Sequence, residues 1–348
     1  MAHLERYDSF QTNRAKNKKE LRINAKNNKI KNSKNDYSFI TTNTKEINGI
    51  VIETTYNNAT ILYNDRLIQA ELDKSLNAIC NKTIFPGDKV IIKEENNNFI
   101  ISNILKRKNI LTKNKVDSTR LNSNITEQII AANIDVAVIV VSCNTPPLHP
   151  KFIDRYLILL QNSNIEPIIC LNKSDLKTNE DEKILKIYRK LGIIIIETST
   201  ILNTGIDKLQ EYLNNKQAIL VGHSGVGKSS LTNALLESDS IKTGKVSDKT
   251  GKGKHTTTSS KYYKWNTNSS VIDTPGIRGL DISDFSKEEI KSYFSEFNNL
   301  DETCKYNDCM HDKEPTSQCA IKRAVESGLI SKSRYDSYIR ILTDLENK

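Results

Sequence analysis

No apolar stretch of the 348 residues approaches the roughly 20 positions that a membrane-spanning helix requires, so no span is expected. The first residues are rich in Asn and Lys and hold no apolar segment, which argues against a secretory leader and for a cytoplasmic protein. Without an oxidising compartment, the six cysteines are not expected to pair as disulfides. Internal repeats are lacking, which argues against a solenoid or a propeller. Acidic and aromatic residues are scarce over residues 1–36, where ten Lys/Arg face four Asp/Glu. Such a segment cannot bury enough apolar area to fold alone and reads as a flexible basic arm. The whole chain carries a net charge of +9 with a pI of about 9.0. That charge is either a solvated basic surface or a footprint for nucleic acid, and the arm favours an RNA contact.

Apolar residues make up 37% of the chain, and Ile-rich runs such as VAVIVV and PIICL suffice for a core. Residues 37–110 alternate in short runs broken by Asn, Gly and Asp, the pattern of a small β-barrel. An OB-fold is the preferred form, with any other small barrel or sandwich as the alternative. From about 117 to 285, strands expected at 134–142, 166–172, 192–198, 217–222, 261–265 and 269–273 alternate with helices. The helices fall at 151–163, 180–190, 206–214 and 228–237, and the alternation requires a mostly parallel sheet covered on both faces. After 286 the chain is helical again. The divisions are thus an arm at 1–36, a barrel at 37–110, an α/β domain at 111–285 and a helical segment at 286–348.

The α/β segment carries phosphate chemistry. GHSGVGKSS spans Gly222, His223, Ser224, Gly225, Val226, Gly227, Lys228, Ser229 and Ser230, and it stands between an apolar strand and a helix. Glycines let the backbone N–H groups curl towards a phosphate; Lys228 can neutralise β/γ charge and Ser229 can ligate Mg²⁺. A second strand ends in Asp273-Thr274-Pro275-Gly276. An Asp there holds Mg²⁺ through water, and the Gly N–H can approach a γ-phosphate. Between them lies GKGKHTTT, which holds His255 and Thr257; it is either a metal-completing switch or an ordinary surface loop.

The tetrapeptide Asn172-Lys173-Ser174-Asp175 follows another strand. Asp175 can accept the N1–H and the exocyclic amine of guanine, a donor pair that adenine lacks. Asn172 would hold the loop, with the Lys173 stem along the ring. Ser199 and Thr200, after a third strand, could face the guanine oxygen. In an ordinary GTPase the base-reading motif follows the phosphate loop; here it precedes it, so the order is circularly permuted. Every ligand loop still lies at the carboxyl end of a strand, where α/β sheets bind ligands. Both ends of the permuted domain are expected to emerge near the switch after Asp273, which would couple partner binding to nucleotide state. Ile277 stands where many GTPases place a water-positioning Gln, so another group must supply that function. His255 is the internal candidate, against the reading of a surface His with no role.

Cys304, Cys309, His311 and Cys319 cluster near the end of the chain. Three thiolates and one imidazole form a closed tetrahedral set suited to a structural Zn²⁺, the alternative being reduced surface cysteines. Cys80, Cys143 and Cys170 read as small buried hydrophobes.

Taken together, RKNIL, AANIDVAVIVVS, FIDRYL, LNKSDL, GHSGVGKSSL, GKGKHTTT, DTPGIRGL, C…CMH…EP…C and SRYDSYIRIL resemble the RsgA (YjeQ) family of GTPases that depend on the small ribosomal subunit. The match covers roughly residues 40–345 on these motifs. It implies an N-terminal OB-fold, a permuted GTPase and a C-terminal zinc domain. It also implies a cytoplasmic, monomeric factor that acts late in small-subunit assembly, contacts rRNA and hydrolyses GTP to GDP when that subunit stimulates it. In the family the His of the HTTT loop is a proposed catalytic residue, which adds weight to His255 beside Lys228. Two departures stand out: His223 stands where the family more often has Gln or another polar residue, and the interval from His311 to Cys319 is longer than usual. An RNA-binding sensor of guanine nucleotides and a GTPase acting on the large subunit are the competing readings.

Overall fold

Asn-Asp and Asn-Asn pairs decide the turns of the first region. In the computed structural model, Asn64, Asp65, Asn96 and Asn97 all take φ between +47° and +65°, which two-residue hairpins need and which Asn and Asp tolerate best. The structure describes residues 40–41, 48–54, 58–73, 84–116, 125–240, 261–266, 268–274, 282, 284–300 and 302–346. The basic arm and Cys80 lie outside them.

A two-residue strand β1 (Ile40–Thr41) leads into β2 (Gly49–Thr54), β3 (Asn58–Tyr63), β4 (Arg66–Leu72), β5 (Lys89–Glu95) and β6 (Asn98–Leu105). β2 pairs with β3, β3 with β4, β4 in parallel with β6, β6 with β5, and β5 back with β2. The ring closes, and its order along the chain (first, second, third, fifth, fourth) is that of an OB-fold. Alternate residues, among them Val51, Ile61, Val90 and Ile101, fill the interior with no exposure.

An antiparallel pair, β7 (Ile110–Val116) and β8 (Ile125–Ala132), follows; it carries no clear apolar alternation and is not among the strands expected from the sequence. The main sheet then runs in the order β11 (Ile195–Glu197), β10 (Glu166–Asn172), β9 (Val136–Ser142), β12 (Gln217–Val221), β14 (Ser270–Asp273) and β13 (Lys261–Lys264). All strands are parallel except β13. Every residue of β9 and β12 is buried, as strands covered on both faces must be. Ala137, Ile139 and Val141 pack with α1 (Pro150–Asn162) and α2 (Asn179–Lys190) on one face. Val136, Val138 and Val140 pack with α3 (Ile206–Tyr212) and α4 (Lys228–Ser240) on the other.

The C-terminal segment forms α5 (Lys287–Ser292), α6 (Ala320–Glu326) and α7 (Lys332–Glu346). The Ser286–Glu289 spacing is a capping box in which each residue satisfies the other's backbone N–H. Helix α7 lies along α1. There the Arg334 guanidinium, 4% exposed, donates to the fully buried Asp154 and to Glu296 at 2.7 Å, and Tyr188 donates to Asp154 at 2.8 Å. A buried carboxylate with several donors is tolerable where an isolated one is not.

Contrary to the expectation from the sequence, the domain's two ends do not both emerge beside Asp273, because β9 enters at the amino end of the parallel sheet, opposite the ligand loops. The barrel is fixed at that opposite end: Gln217 Nε2 donates to Ala132 O at 2.8 Å, and Ala132 N donates to Pro86 O at 3.0 Å. Gly87, at φ +90°, lies so close that a Cβ would meet Ala132 O at 2.3 Å. Behind that turn, Arg107 clamps the buried Asp88 through bonds of 2.7 and 2.8 Å. The Lys264–Asp65 pair adds a contact along the edge strand β13.

Candidate functional site

The phosphate loop leaves β12 and enters α4 through three positive-φ glycines. Gly222 lies at φ +155°, Gly225 at +86° and Gly227 at +95°. A Cβ on Gly222 would meet Val140 O at 2.4 Å, and one on Gly227 would meet Asn172 Nδ2 at 2.3 Å. Only glycine lets the backbone curl this tightly against its neighbours. The Gly222 N–H also donates to the phenol of Tyr156 in α1, and the His223 ring stacks on Phe152 with centroids 4.0 Å apart.

The base-reading tetrapeptide is clasped to this loop, although it lies some fifty residues earlier. Asn172 Nδ2 donates to Val226 O at 2.9 Å, and Lys173 Nζ donates to Gly225 O at 2.8 Å and to Thr145 O. Lys173 itself takes the left-handed conformation, φ +57°. Ser174 and Asp175 open a single turn of 3₁₀ helix. The Ser199 hydroxyl donates to Asp175 Oδ1 at 2.5 Å and so aims that carboxylate; Thr200 is the next residue along the same loop. Thr198, fully buried, donates to Asn172 Oδ1 at 3.3 Å. The ETST segment contains it, but nothing in its spacing marked it as the support for Asn172.

On the other side of the loop, Lys228 Nζ donates to Gly222 O at 2.8 Å and His223 O at 2.9 Å, closing the cradle over its own backbone. Burial lowers the Lys228 pKa, partly offset by the Asp273 charge. Burial raises the Asp273 pKa, opposed by Lys228, the Ser229 hydroxyl and the Thr274 N–H. Ser229 Oγ donates to Asp273 Oδ2 at 3.4 Å, while Asp273 Oδ1 is buried without a hydrogen-bond partner among the described residues. A hydroxyl beside an orphaned buried carboxylate oxygen is the donor set that a hard, oxygen-preferring cation such as Mg²⁺ fits. His255, Thr257 and Gly276 fall outside the described residues, as do Ile277 and the rest of the segment just after Pro275.

The four C-terminal ligands converge. His311 Nδ1 lies 3.5, 3.3 and 3.4 Å from the sulfurs of Cys304, Cys309 and Cys319, and all four ligand atoms fall within 4.8 Å of one another. Bonds of roughly 2.0–2.3 Å around a tetrahedral ion separate its ligands by roughly 3.4–3.8 Å, so the set fits one metal ion. Burial, with Lys291 and Lys322 nearby, lowers the His311 pKa to about 4, keeping the imidazole neutral as a ligand requires. The Ala320 and Lys322 N–H groups point at the sulfurs of Cys304 and Cys319. The long interval before Cys319 is folded by Glu314, which accepts the N–H groups of Met310 and Asp312, and by Lys322, which donates to Asp312 O and Glu314 O. Cys143 and Cys170, by contrast, are fully buried in the α/β domain.

Comparison with known proteins agrees with this geometry. The RsgA GTPase family profile matches residues 104–283. The chain is 38% identical over 272 residues to the small ribosomal subunit biogenesis GTPase RsgA of Thermotoga petrophila, covering 76% of this chain and 85% of that protein. It is 40% identical over 248 residues to the protein of that name from Flavobacterium johnsoniae, covering 70% and 74%. The crystal structure of YjeQ from Thermotoga maritima superposes with a TM-score of 0.67 at 32% identity, over 87% of this chain and 99% of that one. That of YloQ, described as a circularly permuted GTPase, does so at 0.64 and 26% identity, over 88% and 98%. Permuted loop order, closed barrel, cysteine cluster and relatives agree: the chain belongs to the RsgA GTPase family.

Proposed function

We propose that this protein is a GTP hydrolase that acts as a late assembly factor of the small ribosomal subunit. The observation that carries the reading is the clasp of Asn172 and Lys173 on Val226 and Gly225, which joins a guanine reader to a phosphate cradle across a permuted chain. Asp175, aimed by Ser199, accepts from the guanine edge. Lys228 exchanges its carbonyl partners for β/γ-phosphate oxygens, and Ser229 and Asp273 hold Mg²⁺, whose charge would offset that of the phosphates. His255 positions the attacking water, the Thr257 hydroxyl would complete the metal's coordination, and the Gly276 N–H approaches the γ-phosphate.

Zinc suits the Cys₃His set, since a closed site of soft ligands has no open position for chemistry. The barrel, the zinc segment and the basic arm contact rRNA; the protein works as a cytoplasmic monomer, with domain boundaries near residues 36, 110 and 285. No helix among the described residues is long and apolar enough to cross a membrane. The α7–α1 packing and the 277–290 connection carry nucleotide state to the C-terminal segment. Competition binding tests the guanine reading. GTP should displace labelled GDP and ATP should not, while Asp175→Asn should shift preference from guanine to xanthine nucleotides, whose 2-oxo group accepts from the amide. Equal competition by ATP would sink it.

A further inference from the structure

Beside the phosphate loop, between the amino-terminal turns of α1 and α7, lies a cavity of about 690 Å³. It is separate from the metal cluster and adjoins the nucleotide cradle only through His223. Lys151 and Arg155 reach it from α1, Lys332 and Arg340 from α7, and Phe152 with His223 provides stacked rings at its wall. Acid is scarce there. Lys151 and Arg155 share the single carboxylate of Asp344, and Lys332 pairs with Asp336, the only acidic residue of the lining. Arg340 is exposed with no ion-pair partner among the described residues, and Arg155 Nε is buried without a hydrogen-bond acceptor. Four strong cations therefore face two carboxylates around an aromatic wall, leaving unneutralised positive charge at a concave junction of two segments.

We propose that this cavity is a docking site for single-stranded RNA, taking one or two nucleotides by backbone charge and base stacking. The proposal rests on the ribosomal reading above and deepens it by naming a contact. The volume lies within the range of ordinary small-ligand sites and admits a nucleotide. Charge with ring stacking is the sequence-tolerant mode of single-strand recognition. RNA is favoured over a free nucleotide because Asp336 is already engaged by Lys332, leaving no carboxylate ready to read a base edge. The cations also stand at the exposed rim on α7, where a continuing backbone would pass. Because His223 stacks on Phe152 and Tyr156 holds the Gly222 N–H, an occupant would touch the wall that supports the phosphate loop.

The test uses the full chain and fluorescein-labelled decauridylate, titrated by anisotropy over a range of KCl. Lys332→Glu with Arg340→Glu should weaken binding about tenfold and lower the slope of log affinity against log salt by about 1.4, at about 0.7 per lost phosphate contact. GDP binding serves as the control that the double variant is folded. Unchanged affinity and slope would overturn the proposal. In a second measurement, Lys151 and Lys332 should be shielded from an amine-reactive reagent by decauridylate, but not by millimolar GTP or inorganic phosphate. Shielding by either small anion alone would make this a small-anion site and overturn the RNA reading. If decauridylate behaves as stated while small subunits leave GTP hydrolysis unchanged, the assembly reading fails and the docking site stands.

Discussion

Gly227 shows how much of the nucleotide site rests on one missing atom. A Cβ there would meet Asn172 Nδ2 at 2.3 Å, at a φ of +95° that L side chains rarely adopt. Gly227→Ala must therefore either part the guanine reader from the phosphate loop or strain the backbone, at a cost of about 1–3 kcal/mol. GDP affinity measured by calorimetry should fall by roughly five- to 150-fold, with the barrel and metal cluster intact. Asp273 illustrates the opposite balance, in which function opposes stability. Its carboxyl pKa is raised in the folded state by burial, so the folded protein binds more protons than the unfolded chain, and stability falls as pH rises through that interval. Asp273→Asn should raise the melting temperature of the nucleotide-free protein at neutral pH, with a smaller gain below the ordinary carboxylate range. Thermal scans at several pH values check this, and the variant should lose the stabilisation that Mg²⁺ and GTP give the native chain.

At the scale of elements, the helices and strands that hold ligands were legible because their signals are local. Apolar runs buried on both faces marked β9, β10 and β12, and the glycines and lysine of the phosphate loop fixed where α4 begins. The β7–β8 pair escaped because its residues, such as Thr112, Lys113 and Asn114, carry little apolar alternation, and pairing rather than pattern makes it a sheet. The positions of Thr198, Tyr156 and Phe152 as supports of the loops were also invisible, since each acts across elements far apart in sequence. Cys304, Cys309, His311 and Cys319, by contrast, could be read from spacing, and the structure brings them together as a set that could hold a metal. Around them Tyr335 and Tyr338 of α7 donate to the carbonyls of His311 and Met310 at 2.7 Å, so the loop and the helix depend on one another. Chelation should then release α7 from α1 as well as the ion. Limited proteolysis should show new cleavage after about residue 300, with GDP binding by the remainder retained. An unchanged digest after complete metal removal would separate the ion from the packing.

For the whole molecule, the permutation sets where each appended segment can act. The barrel grips the amino ends of β9 and β12 through Gly87, Ala132 and Gln217, far from the ligand loops. The C-terminal segment instead packs along α1, whose first turn touches the phosphate loop. Among the described residues, the C-terminal segment therefore packs on the helix that touches the phosphate loop, while the barrel is held against the amino ends of the sheet strands. The expectation that both attachments flank the switch misread one strand's direction. A parallel strand that opens the permuted domain starts at the end of the sheet away from the site.

GTP turnover by the purified protein, measured alone and with added small or large ribosomal subunits, tests the assembly-factor function most directly. Slow turnover alone, strong stimulation by the small subunit only, and loss of both in Lys228→Ala are the predicted results. Absence of stimulation by the small subunit, or equal stimulation by the large one, would contradict it.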